Sequence, residues 1–221
     1  RNVLINGAKI MAIRFSEANI GKEENGHEKN ERSKRYNMYN QIIHTISFTR
    51  GSVPGVDNKK FKKIILKNLE PHVEDSTSLD YILTRHEDTK FPMNPEFEKI
   101  LNHITGQFKY LHNKNLNLTN FWSHIHEKNM STVTHNHVEK EDYEGTKYLS
   151  GVYYVQVPEK SGHFVLHYPF NSHVTHKLAV MPKTSEFFLF SSAMDHHVTR
   201  NLSNESRISV SFNLKIEDLT Q

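Results

Sequence analysis

Cysteine is wholly missing from the 221 residues. That absence excludes disulfides, thiolate metal sites and cysteine nucleophiles together, and it fits a reducing compartment, so a cytoplasmic location is expected. No apolar run approaches the roughly 20 residues of a membrane span, and no segment has the build of a signal peptide. An excess of one charge is lacking too: 28 Lys and Arg are intermixed with 25 Asp and Glu, for a net charge of +3. So mild a balance indicates neither nucleic acid nor a membrane as partner. Phosphate-cradling glycine loops and nucleophile elbows do not occur, which argues against a hydrolase. The opening on Arg1 rather than Met leaves the natural start of the chain open.

Histidine, by contrast, is abundant, with 16 residues, many of them between His103 and His197. Such density points toward metal chemistry. Hydrophobic residues make up only 36%, but they cluster, and a chain of this length can build one core. Residues 1–40 read as an N-terminal extension: a short apolar start from Val3 to Ile13, then a polar stretch from Gly21 to Asn37 rich in Lys, Glu and Asn. The polar stretch has too little apolar surface to offset its ordering entropy, so the extension is expected to be partly flexible. Residues 41–221 form the expected domain. Ile42 to Phe48 suits a first strand, and Asn58 to Glu70 carries Phe61, Ile64, Ile65 and Leu69 at helical spacing. Asn94-Pro95 has the capping chemistry of a helix start, followed by Phe97, Ile100, Leu101, Ile104, Phe108 and Leu111 on one face.

From Leu118 the period changes to two. Tyr148 to Val157, His163 to Tyr168, Glu186 to Phe190 and Arg207 to Leu214 are short runs of β-formers punctuated by Pro158, Gly162, Pro169 and Pro182. Asn117 to His124, Ser131 to His137 and His196 to Arg200 suit further strands. The fold class expected is mainly β with flanking α, a jelly roll buttressed by N-terminal helices.

His135-Asn136-His137 sets two imidazoles at i and i+2, which on a strand share a face and can reach one metal ion. Neutral imidazole suits Fe, Zn, Cu or Ni alike. Glu139 forms a second such pair with His137, so two ligand sets stand open: His137, Glu139 and His196, or His135, His137 and His196. His196 follows an apolar run and a short turn, a position suited to the mouth of a barrel, while Asp195 and His197 alternate away from it. In Arg207 to Leu214 the apolar side chains take one face, and Arg207, Ser209, Ser211 and Asn213 take the other. Arginine makes two parallel charge-assisted bonds with a carboxylate, so Arg207, with the Ser209 hydroxyl beside it, suits an acidic co-substrate.

With these residues in place, the stretch from about 118 to 214 resembles the 2-oxoglutarate/Fe(II)-dependent oxygenase superfamily. The likeness rests on Trp122, His135-x-His137, Leu149 to Val155, Pro158, Ser161-Gly162, Phe190, His196-x-Val198, Asn201 and Arg207 to Asn213, in that order. It looks closest to a branch carrying a His-x-His motif, found in marine bacteria and phages. The resemblance implies a double-stranded β-helix with Fe(II) at its open end. His135 and His137 would be the proximal ligands and His196 the distal one. Arg207 would hold the distal carboxylate of 2-oxoglutarate, and Tyr154 would hydrogen-bond the co-substrate. It further implies O₂ as oxidant, with hydroxylation of an unidentified small molecule or side chain coupled to release of succinate and CO₂. A homodimer is compatible with it. Trp122, Phe164 and Tyr153 would line the barrel. The superfamily's usual carboxylate two residues after the first histidine is replaced by His137, and Glu139 is the available substitute. Some relatives bind halide where that carboxylate is lost, but His137 would fill the vacancy, which favours hydroxylation over halogenation. Two rivals share the fold: a cupin-like three-histidine metalloenzyme without 2-oxoglutarate, and a non-catalytic jelly-roll binding module.

Overall fold

Helix formation follows the capping chemistry. The computed structural model describes residues 4–5, 8–10, 48–68, 90–142, 145–169 and 173–219. Helix α1 (Asn58–Lys67) starts where the Asp57 carboxylate accepts the Lys60 N–H at 3.0 Å, and it buries Phe61 and Ile65. Asn68 caps its C-terminus, so it stops short of the expected Glu70; Leu69 and Glu70 lie outside the described residues. Helix α2 (Pro95–His112) starts where Asn94 Oδ1 accepts from Glu96 and Phe97, both at 3.2 Å. It ends at Asn113, which takes the left-handed conformation that closes many helices. Glu96 joins the two helices: its buried carboxylate receives the Asp57 N–H at 3.0 Å and Lys99 Nζ at 2.9 Å.

Eleven strands are described: β1 (Leu4–Ile5), β2 (Ala8–Ile10), β3 (Phe48–Ser52), β4 (Lys114–His126), β5 (Thr132–His135), β6 (Tyr148–Gln156), β7 (Phe164–Pro169), β8 (Thr175–Val180), β9 (Glu186–Ser191), β10 (His196–Val198) and β11 (Arg207–Asp218). They form two antiparallel sheets, β1-β2-β3-β9-β6-β11-β4 and β5-β10-β7-β8. The helices cover one face of the larger sheet, where Phe97, Ile100, Ile104, Phe61 and Ile65 meet Tyr153, Phe187, Val210, Phe212 and Leu214. The smaller sheet faces the other side, where Phe164 and Leu166 meet Val152, Tyr154, Phe188 and Phe190. Two hydrophobic layers on one sheet explain why its central strands are buried on both faces. Among the described residues no helix is long and apolar enough to cross a membrane.

Several expectations shift. Of the strand expected at Ile42 to Phe48, only Phe48 is described; it opens β3, which runs on to Ser52 and pairs with β9 from Phe48↔Phe190 to Ser52↔Glu186. Residues 42–47 and the polar stretch Gly21 to Asn37 lie outside the described residues. Within the N-terminal extension, β1 and β2 pair with each other, and β2 adds to the sheet edge at β3. Strand β8 has no alternating signature, since Thr175 to Ala179 are exposed whichever way they point. The expected strand Ser131 to His137 stops at His135; the chain then crosses between the sheets, and the His137 N–H donates to the Ser192 carbonyl at 2.8 Å.

Candidate active site

Register places the site. Along β11, Arg207, Ser209 and Ser211 lie opposite His126, His124 and Trp122 of β4. On the other flank Ser209, Ser211 and Asn213 lie opposite Tyr154, Val152 and Ser150 of β6. These side chains alternate onto the face that meets the smaller sheet. The polar face of β11 is therefore interior: Arg207, Ser209, Ser211 and Asn213 are all buried. Arg207, Ser209 and Ser211, together with His135, His137, Phe164, His196 and Thr132, enclose a cavity between the sheets.

His135, His137 and His196 meet at one end of that cavity, with ligand atoms all within 4.8 Å of one another. His196 lies directly across the strand pair from His135. Each ring has its Nδ1 already engaged. In His135 it bonds the Val133 carbonyl at 2.8 Å, and in His196 the Met194 carbonyl at 3.0 Å. In His137 it meets Ser150 Oγ at 3.0 Å and Asn213 Oδ1 at 3.1 Å. A carbonyl can only accept, so Nδ1 carries the proton in His135 and His196, which leaves Nε2 as the lone-pair atom. Asn213 Oδ1 sets His137 the same way. Such outer partners are what metal-binding histidines need to fix tautomer and orientation. Burial pushes the His196 imidazole down to about 3 and the His137 imidazole down to about 4, so both are neutral near pH 7. This group can hold a metal ion and leaves part of the coordination sphere to other ligands.

At the other end, Arg207 is 1% exposed and stacks over the Tyr154 ring at 5.0 Å. Its Nε and Nη1, and the Tyr154 hydroxyl, have no hydrogen-bond partner among the described residues. Burial pushes the Arg207 guanidinium down and the Tyr154 phenol up, each disfavouring its charged form. A buried cation without a counter-charge is costly to keep, and its unpaired N–H groups can take an anion as partner.

Residues 120–213, somewhat under half of the chain, match the family model described as "Putative 2OG-Fe(II) oxygenase". No curated protein matches the sequence. Among solved structures, a prolyl hydroxylase from Trichoplax adhaerens, in complex with a hypoxia inducible factor peptide fragment, is similar with a TM-score of 0.55 at 13% identity. The match covers 77% of this chain and 83% of that one. HygX from Streptomyces hygroscopicus, with nickel and 2-oxoglutarate bound, is similar with a TM-score of 0.51 at 12% identity, over 76% and 82% of the two chains. The fold is the double-stranded β-helix.

Within this double-stranded β-helix, the structure brings together most of the residues singled out from sequence. His135, His137, His196, Arg207 and Ser209 line one cavity, and Tyr154 packs beneath Arg207. Glu139 is not in the imidazole group; its carbonyl closes a turn by accepting the Asp142 N–H at 2.9 Å. Phe164 lines the cavity as expected, and Trp122 stands edge-on to His137 at 5.2 Å. Tyr153 does not line it: strand parity sends it to the helix side, where its hydroxyl donates to Asn58 Oδ1 at 3.0 Å. His197 also turns away from the cavity and pairs with His167 at 2.7 Å. Sequence reasoning missed His124 and His126, both of which line the cavity. The alternation Trp122-x-His124-x-His126, with all three on one face of a strand, was the available signal.

Proposed function

We propose that this protein is a non-haem iron oxygenase that couples oxidative decarboxylation of 2-oxoglutarate to hydroxylation of a C–H bond in a small molecule or a side chain. The observation that carries the reading is one cavity with two complementary ends: three Nε2 lone pairs converging at one, and a buried guanidinium with unpaired Nε and Nη1 at the other. The donor set fits Fe(II) with open positions, and the unpaired N–H groups fit a dicarboxylate. Iron with 2-oxoglutarate, when bound, supplies a route from O₂ to an oxidised C–H bond, with succinate and CO₂ as co-products.

The chain's own part is to hold and orient. His135, His137 and His196 take the metal through Nε2, with His135 rather than Glu139 as the third ligand, because its ring already stands 4.4 Å from that of His196. Arg207 takes the distal carboxylate, and the Ser209 and Tyr154 hydroxyls stand beside it on neighbouring strands. Phe164 and Phe190 pack against His196 at 5.6 and 4.8 Å and help to keep water from that side of the site. Three neutral ligands leave the metal with its full charge, so an anionic co-substrate contributes strongly to holding it. A cupin-like reading without 2-oxoglutarate leaves the burial of Arg207 without a purpose.

The test is anaerobic addition of Fe(II) and 2-oxoglutarate to metal-free protein, followed in the visible spectrum. A charge-transfer band that needs both components, and that Arg207→Ala abolishes, is expected. Iron binding without a band moves the cupin-like reading ahead, and no metal binding at all ends the catalytic one.

A further inference from the structure

Trp122, His124 and His126 form a row down one face of β4, beside the row Ser211, Ser209, Arg207 of β11. Trp122 stands next to the metal end, edge-on to His137, and His126 lies across from Arg207. His124 lies between them; its Nδ1, like that of His126, is buried and has no partner among the described residues, but only in His124 is the tautomer fixed. The Trp122 indole Nε1–H donates to His124 Nε2 at 2.8 Å. Indole nitrogen is a donor only, so His124 Nε2 must be the acceptor. A neutral imidazole then carries its proton on Nδ1, and burial keeps His124 neutral. That Nδ1–H is buried and has no partner among the described residues. His126 shows the contrast. Its Nε2 meets the Thr132 hydroxyl, which can donate or accept, so its tautomer is not fixed by the bond.

We propose that His124 is a further co-substrate-binding residue, whose Nδ1–H, fixed in place by the Trp122 indole, donates to an oxygen of the oxo-acid lying between the metal and Arg207. The inference rests on the oxygenase reading. Two residues along a strand span about 6.6 Å, so a five-carbon diacid reaching from Arg207 toward the imidazole group passes over His124. The ligand arriving there meets a donor that no protein atom satisfies, and the bond is charge-assisted because the ligand is an anion. Trp122 is the positioning residue: it touches neither metal nor co-substrate, and it acts by denying His124 the other tautomer.

Long-range ¹H–¹⁵N spectra of histidine-labelled, Zn(II)-loaded protein read the tautomer, and calorimetry on the same sample reads the affinity for 2-oxoglutarate. The expected result is Nδ1–H at His124 in the wild type, with a shift of that proton when 2-oxoglutarate is added. Trp122→Phe keeps an aromatic ring against His137 but frees the tautomer, and the Nε2-protonated form then appears. His124→Leu weakens 2-oxoglutarate binding about tenfold or more, whereas His124→Asn, which keeps an N–H near the Nδ1 position, retains most of it. Wild-type affinity in His124→Leu, or an unprotonated Nδ1 in the wild type, overturns the proposal while leaving the oxygenase reading intact. If the Zn(II)-loaded wild type takes no 2-oxoglutarate, that reading fails first and His124 has no oxo-acid to meet. Should His124→Leu not fold, the tautomer and affinity of Trp122→Phe decide alone.

Discussion

Arg207 illustrates what a buried, incompletely paired cation costs the folded chain. Its guanidinium has left water, is 1% exposed, and keeps two nitrogens without a partner among the described residues. Leaving buried polar groups unsatisfied costs on the order of 1–3 kcal/mol, more when they are charged. Replacing Arg207 with Met keeps the long stem that packs on Tyr154 and removes the charge. The metal-free, ligand-free Arg207→Met variant is therefore expected to be more stable than wild type, by about 1–3 kcal/mol in urea unfolding. The same variant is expected to lose 2-oxoglutarate affinity by about 100-fold in calorimetry. A less stable variant would mean that the guanidinium is already satisfied in the free protein.

Among the elements, what could be read from the sequence depended on where each element's signal sits. Helix α2 was legible because its cap, its Pro and its apolar stripe are local. Strands β6, β7, β9 and β11 were legible for the same reason, as dense runs of β-formers between turn residues. Which face of β11 is buried was not legible, because residues Arg207 to Leu214 are buried without a break, with helices on one side and the cavity on the other. The three clustered histidines stood out through their spacing. The groups that set their tautomers did not, since Asn213 meets His137 across 76 residues and two of the others are backbone carbonyls. Strand pairing also imposes a packing constraint at Gly151, which lies opposite Phe212. A Cβ at Gly151 would clash with the edge of the Phe212 ring, which is buried against Phe97. Gly151→Ala is expected to cost about 1–3 kcal/mol, read as a lower urea midpoint with an unchanged slope.

Over the whole molecule, the concentration of neutral histidines in one cavity ties stability to pH. His124, His126, His137 and His196 are all held below the ordinary value of 6.5, chiefly by burial, with His126 and His196 down to about 3 and His137 to about 4. Each is neutral when folded and takes up a proton on unfolding once the pH is below 6.5. The unfolded chain then binds more protons, so stability is full above that value and falls as the pH drops toward the folded values. Each such group contributes about 1.4 kcal/mol per pH unit within its window. Glu96, whose carboxyl is held below 4.5 by the Asp57 N–H and by Lys99, adds its loss only at lower pH. Between pH 6.5 and 4.5 the slope is thus mainly the work of the cavity histidines. Urea unfolding of metal-free protein across that range is expected to show uptake of more than two protons on unfolding, and His126→Gln is expected to reduce it by one. A stability that stays flat from pH 7 to 5 would show that these imidazoles are not held neutral, and Nε2 of His137 and His196 would then have to shed protons before any metal could bind.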